Sequence, residues 1–297
     1  MFSARGLSVK ALILFLCVVC FATGSARHAT ADQSDQQPTP VVAAQQVFRP
    51  LVAAIYEPRM GFQYQPSIQR VRLDIGYSAD VWTLLLSQEH FGSSREETVA
   101  VGLDGFTYTR LRSEANLKFP VEAVDYMFGI NSTYRLLRLG ENSVAVRMRL
   151  SHISAHFADG YADSTGMLRQ RPFVYSREFI DAIVAHEWFV PNVRIYGGAT
   201  YLLTVKELPR PVGRLIPQLG VEWYWKAGIP MLLGYDLRVV PIGGVSVPAH
   251  SLQVGVALKS GLPTLAVCGY FYSGYSIHGM FFDQRERYWA LGVQVLI

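Results

Sequence analysis

The sequence predicts an all-β protein, a transmembrane antiparallel β-barrel of about 12 strands. Three observations predict it. From about Gln69 to the last residue, apolar side chains recur with period two rather than 3.6. The connections between these alternating runs switch between short and long. The chain also opens with an export signal and closes on an alternating run.

The opening residues set the compartment. Arg5 and Lys10 precede an apolar run, ALILFLCVVCFA, that is shorter than the roughly 20 residues a membrane helix needs. Ala29-Thr30-Ala31 before Asp32 has the small-residue pattern of a signal-peptidase site, so residues 1–31 read as a cleaved signal peptide. No small residue directly precedes Cys17 or Cys20, which argues against a lipid-anchored N-terminus. The expected location is a bacterial outer membrane.

The leader holds Arg5, Lys10 and Arg27 and no acid, so 24 basic and 23 acidic side chains remain, a net charge of +1. That balance gives no electrostatic case for a nucleic-acid partner. Cys268 is the one cysteine beyond the leader, so no intramolecular disulfide is expected.

After the leader, DQSDQQPTP begins a polar, proline-punctuated linker taken as 32–47. Residues 48–68 read as a periplasmic lead-in. Within 41–59, VVAAQQVFRPLVAAIYEPR suits a short periplasmic helix or a plug, interrupted by Pro50 and Pro58. The barrel is placed at 69–297.

Along the barrel, Val193, Ile195, Ala199, Tyr201 and Leu203 share one face, with Arg194, Tyr196 and Thr200 on the other. The same separation sets Leu219, Val221, Trp223 and Trp225 against Gln218 and Glu222, and Met231, Leu233, Tyr235 and Leu237 against Asp236 and Arg238. Trp289, Leu291, Val293, Val295 and Ile297 alternate in the last run. A soluble sandwich alternates too, but its outer face would then be unusually apolar. The connection rhythm favours the membrane: short turns near Gly140, Pro191, Ala227 and Ser260, and long loops at 112–121, 157–171, 206–213, 240–249 and 274–286, as in barrels with short periplasmic turns and long outer loops. The polar face, with Arg72, Asp74, Asp104, Arg147, Arg149, Arg194, Glu222, Asp236 and Arg238, then forms the lumen. These charges either pair into a network that fills a narrow barrel or line a water-filled pore.

The fifth run, VAVRMRLSHISAHFADG, carries the one candidate for chemistry. Val144, Val146, Met148 and Leu150 face lipid, so alternation places His152, Ser154 and His156 on the same outer surface near the outer leaflet, with Arg147 and Arg149 inside. In the next run the lipid phase of Ile180, Ala182, Val184 and Trp188 also turns Ser176 and Glu178 outward. A serine nucleophile needs a base, and the base needs a third group to orient it. Ser154, His152 and Glu178 supply those types, with His156 beside them and Asp159 or Asp163 as competing third members. Polar residues at headgroup level also occur without chemistry. His152 and His156 stand about 13 Å apart along the strand, too far to share a metal ion, and no metal or cofactor is expected.

The segments FRPLVAAIYEPR, RMRLSHISAHFADG, VYSRE and RIYGGATYLL resemble a bacterial family of outer-membrane proteins, domain of unknown function 1207. Its central His-x-Ser-Ser-His-x-x-Asp pattern is matched by His152, Ser154, His156 and Asp159, with Ala155 in place of the second serine. The resemblance implies an outer-membrane barrel without an assigned activity. A narrower similarity, to the outer-membrane phospholipase and lipid A deacylase families, rests on His152-x-Ser154 on an outward strand face. Their Asn or Glu partner follows shortly after the serine, where this chain has Gly166 and polar loop residues; Glu178 lies farther on. The phospholipase likeness also implies calcium and dimerisation, for which the sequence shows no ligand set. Two readings follow: a non-catalytic barrel, structural or a narrow pore, and a hydrolase of outer-leaflet acyl esters whose partners are membrane lipids or lipopolysaccharide.

Overall fold

The computed structural model describes residues 46–88, 95–138, 141–205, 208–225, 228–258 and 264–296. The signal peptide, the linker as far as residue 45 and several turn residues expected from the sequence lie outside the described residues. Twelve strands follow in order: β1 Met60–Gln65, β2 Arg70–Gln88, β3 Arg95–Arg112, β4 Val121–Arg138, β5 Asn142–Phe157, β6 Tyr175–Trp188, β7 Val193–Val205, β8 Leu215–Trp225, β9 Met231–Ile242, β10 Val245–Ala257, β11 Thr264–Tyr275 and β12 Arg285–Leu296. Each strand pairs antiparallel with its sequence neighbours, and β1 pairs with both β2 and β12, which closes the barrel. Closure gives the wall's backbone polar groups partners without leaving an open sheet, the condition for crossing a bilayer with strands.

Two expectations need correction. The barrel starts at Met60 rather than 69, because β1 lies within the expected lead-in and its edges complete the ladder. The 240–249 stretch is not a long loop: β9 and β10 continue to Ile242 and from Val245, joined by Gly243 and Gly244 at positive φ. Two consecutive left-handed positions suit a tight hairpin and favour glycine.

The alternation sorts side chains as expected of a membrane barrel. Ile75, Leu103, Phe128, Val184, Leu219, Trp289 and Leu291 are exposed on the outer surface. The interior is filled. Arg72, Asp74, Asp104, Arg147, Arg149, Arg194, Glu222, Asp236 and Arg238 are all buried.

Residues 46–59 run through the interior as an irregular plug, not a helix. Val47, Phe48, Leu51, Ala53, Ala54 and Ile55 are buried there, so the last residues of the expected linker are already part of it. The wall holds the plug by charge-assisted hydrogen bonds. Arg147 grips Glu57 with both terminal nitrogens, at 2.9 and 2.5 Å, and Arg149 adds a third bond at 2.9 Å. Arg194 donates to the Arg49 and Pro50 carbonyls, and Glu222 accepts from the Val52 amide at 2.6 Å while pairing with Arg194. Toward the outer end, the β11–β12 connection folds inward. Met280, Phe281 and Phe282 bury against Phe106, Tyr108, Met127 and Tyr175, and Asp125 accepts from His278 Nδ1 and the Gly279 amide. The interior is therefore a packed core, and the charges form a network rather than the lining of an open pore.

Glu57→Ala leaves Arg147 without its bidentate partner inside the barrel. Removing one member of a buried pair costs roughly 3–5 kcal/mol, so the urea midpoint of the detergent-folded barrel should fall by a corresponding amount, and an unchanged midpoint would contradict the plug. The alternation of β5 is tested by cysteine labelling in a Cys268→Ala chain starting at Asp32. Ser154→Cys should react with a maleimide in the folded state, whereas Ala155→Cys, at a position 2 % exposed, should react only after unfolding.

Candidate active site

The site is built by register. β5 and β6 pair so that His152 stands directly opposite Glu178 and Ser154 opposite Ser176. All four belong to the outward phase of their strands, because Ile153, Ala155, Arg177 and Phe179 are buried inside. His152 Nδ1 lies 2.8 Å from Glu178 Oε1. A carboxylate only accepts, so Nδ1–H donates, and that tautomer leaves Nε2 with its lone pair free to take a proton.

Neighbouring strands steady the pair. Phe128 of β4 is opposite His152 in the β4–β5 register, and the two rings lie 5.0 Å apart. The Glu178 amide donates to Thr204 Oγ1 at 3.3 Å, where one extra residue in β7 makes a bulge between Glu178 and Phe179. Such bulges re-aim side chains beside a site. Phe128 and Thr204 went unnoticed in the sequence because only the register brings them to His152 and Glu178.

Ser154 lies two residues from His152 on the same face, about 6.6 Å along the strand at roughly 3.3 Å per residue. Its hydroxyl makes no hydrogen bond to a histidine among the described residues, the loose geometry common before a substrate is bound. His156 lies farther out, with its ring 6.2 Å from that of Tyr126. It is exposed, and it is not joined to the His152–Glu178 pair.

The loop carboxylates are engaged elsewhere. Asp159 accepts from the Gly160 amide at 2.9 Å in its own 3-10 turn. Asp163 accepts from the Thr165 hydroxyl and the Thr165 and Met167 amides, and these bonds hold its carboxyl below the usual range. Of the competing third members, the geometry joins Glu178 to His152 and leaves both aspartates in the loop.

The lumen residues form a separate system on the other side of the wall. Arg149 reaches Asp181 at 3.4 Å as well as Glu57, Arg194 pairs with Glu222, Tyr196 and Gln218 donate to Asp236, and Arg238 donates to Thr200. No cluster of three or more metal-ligating side chains occurs among the described residues. The outward group thus holds a hydroxyl, an imidazole and a carboxylate in the types and order that acyl transfer uses, on a surface that faces lipid.

Two solved structures share the architecture. Outer membrane phospholipase A from Escherichia coli aligns with a TM-score of 0.56 and 12% identity, covering 80% of this chain and 92% of that one. An active-site mutant of the same phospholipase, at pH 6.1, aligns with a TM-score of 0.55 and 12% identity, covering 88% and 94%. At this identity the likeness establishes a shared outer-membrane-type barrel fold. No match is found among curated proteins. The sequence model of the family described as protein of unknown function (DUF1207) matches residues 27–295, nearly the whole chain, and the protein belongs to that family.

Proposed function

We propose that this outer-membrane-type barrel is a hydrolase of acyl esters in the outer leaflet, with Ser154 as nucleophile, His152 as base and Glu178 as the residue that orients His152. The observation that carries the reading is the 2.8 Å bond between His152 Nδ1 and Glu178, with Ser154 two residues away on the same outward face. Glu178 fixes the ring and stabilises its charged form. Ser154 Oγ attacks the ester carbonyl carbon as its proton passes to His152 Nε2. The carbon–oxygen bond to the alcohol then breaks, and His152 returns the proton to the departing alkoxide. Water repeats the sequence on the acyl-serine, releasing a fatty acid and restoring the enzyme.

A lipid-facing site suits this substrate class, since an acyl chain presents its ester at headgroup level without leaving the membrane. Phospholipids and lipopolysaccharide both carry such esters. The alternative of a solute pore is disfavoured by the packed interior. A purely structural role does not call for the registered pairing of Glu178 with His152 beside Ser154 on the outer face. Outer-membrane residence follows from the same reading.

The test is fatty-acid release, followed by mass spectrometry, from detergent micelles holding phospholipid or lipopolysaccharide. Base assistance is typically worth roughly 10²–10⁴-fold, so Ser154→Ala and His152→Ala should each lose at least that much while remaining folded. Glu178→Ala should lose more than Glu178→Gln, which keeps an acceptor for Nδ1–H. Release that is the same in wild type and Ser154→Ala would retire the proposal.

A further inference from the structure

Inside the barrel, between the plug residues Ile55 and Tyr56 and the folded-in loop residues Ser276 and Phe282, lies a cavity of about 60 Å³. A single water needs only roughly 10–15 Å³, so the space suits a larger guest. Four charged side chains line it: Arg149, Arg177, Asp181 and Arg238. Asp181 and Arg149 are paired with each other, and Arg149 also bonds Glu57.

The other two arginines are left over. Arg177 is 7 % exposed, and its Nε and Nη2 have no hydrogen-bond partner among the described residues. Its guanidinium instead stacks over Tyr175, 4.4 Å from the ring centre. Arg238 is 5 % exposed; Nη2 donates to Thr200 Oγ1 at 2.8 Å, but Nε is without a partner among the described residues. Neither forms an ion pair with a carboxylate among the described residues. Asp236, two residues from Arg238 on the same face, accepts from Tyr196 and Gln218 and lies near enough to offset part of the Arg238 charge, whereas Arg177 has no such neighbour among the described residues.

A buried cation without a counter-charge is among the most costly arrangements a folded chain can hold. Water in the cavity would satisfy the donors and leave the Arg177 charge uncompensated. Guanidinium groups match planar or tetrahedral oxyanions through paired N–H donors. We propose that the cavity is a binding site for a small oxyanion, a phosphate-like or carboxylate group, held by Arg177 and Arg238 with Thr200 at its edge. The site lies on the lumen side of the wall and does not depend on any chemistry at Ser154.

The experiment refolds the full-length protein from urea into detergent in chloride alone, with added sodium phosphate, or with added sodium acetate, at equal ionic strength. Thermal unfolding is then measured in each. A saturable rise in Tm with phosphate or acetate is expected in wild type, and its loss is expected in Arg177→Gln. Arg238→Gln serves as the second variant should Arg177→Gln fail to refold. In chloride alone, Arg177→Gln should be at least as stable as wild type, because it removes a buried charge that no carboxylate among the described residues offsets. Equal Tm in all three salts would overturn the proposal. A phosphate or acetate increment that persists in the refolded variants would mean a general salt effect and would overturn it equally.

Discussion

The grip of Arg147 and Arg149 on Glu57 is the contact on which the rest of the interior depends. A barrel of twelve strands encloses more space than its inward side chains fill when many are small, as Ala100, Ala123, Ala145, Ala155 and Ala185 are here. The plug supplies the missing volume with Phe48, Leu51 and Ile55. It must also bring a negative charge, because two neighbouring arginines on β5 would otherwise be buried together. Glu57 supplies it, and Asp181 and Asp104 share the load on Arg149. Charge and volume are therefore matched by the same short segment.

This contact bears on the outer surface as well. Arg147 and Arg149 lie on the strand that carries His152 and Ser154, so a one-residue slip of β5 would move the arginines into lipid and the histidine into the lumen. The ion network makes that slip prohibitive. It thus holds fixed the register that sets His152 opposite Glu178. The proposed site on the outer face thereby lies on a strand pinned from its reverse side.

Strand facing also separates two sorts of charge within a few residues of β6. Glu178 points outward to a histidine, whereas Arg177 and Asp181 point inward. Asp181 finds Arg149; Arg177 finds only aromatic faces and a cavity. The same alternation gives the molecule two polar environments on opposite sides of the wall.

The period-two pattern together with the short-and-long rhythm of the connections pointed to a barrel of about 12 strands, and the pattern alone set the facing of the charged residues assigned to the lumen and the outward turn of His152, Ser154 and Glu178. Each facing depends only on the geometry of one strand, where neighbouring side chains must point to opposite faces. The start of β1 was not visible, because a six-residue strand after a segment rich in alanine and proline has too few alternations to stand out. The tight Gly243–Gly244 turn was hidden by residues that suit either a loop or a hairpin. The pairing of His152 with Glu178 rather than with Asp159 or Asp163 was decided only by the tertiary structure. It depends on the offset between two strands joined by a long loop, which is set by closure of the whole barrel and by the plug within it. Arg177, without a carboxylate partner among the described residues, belongs to the same class: a sequence shows where a charge points, and only the packed interior shows whether anything meets it.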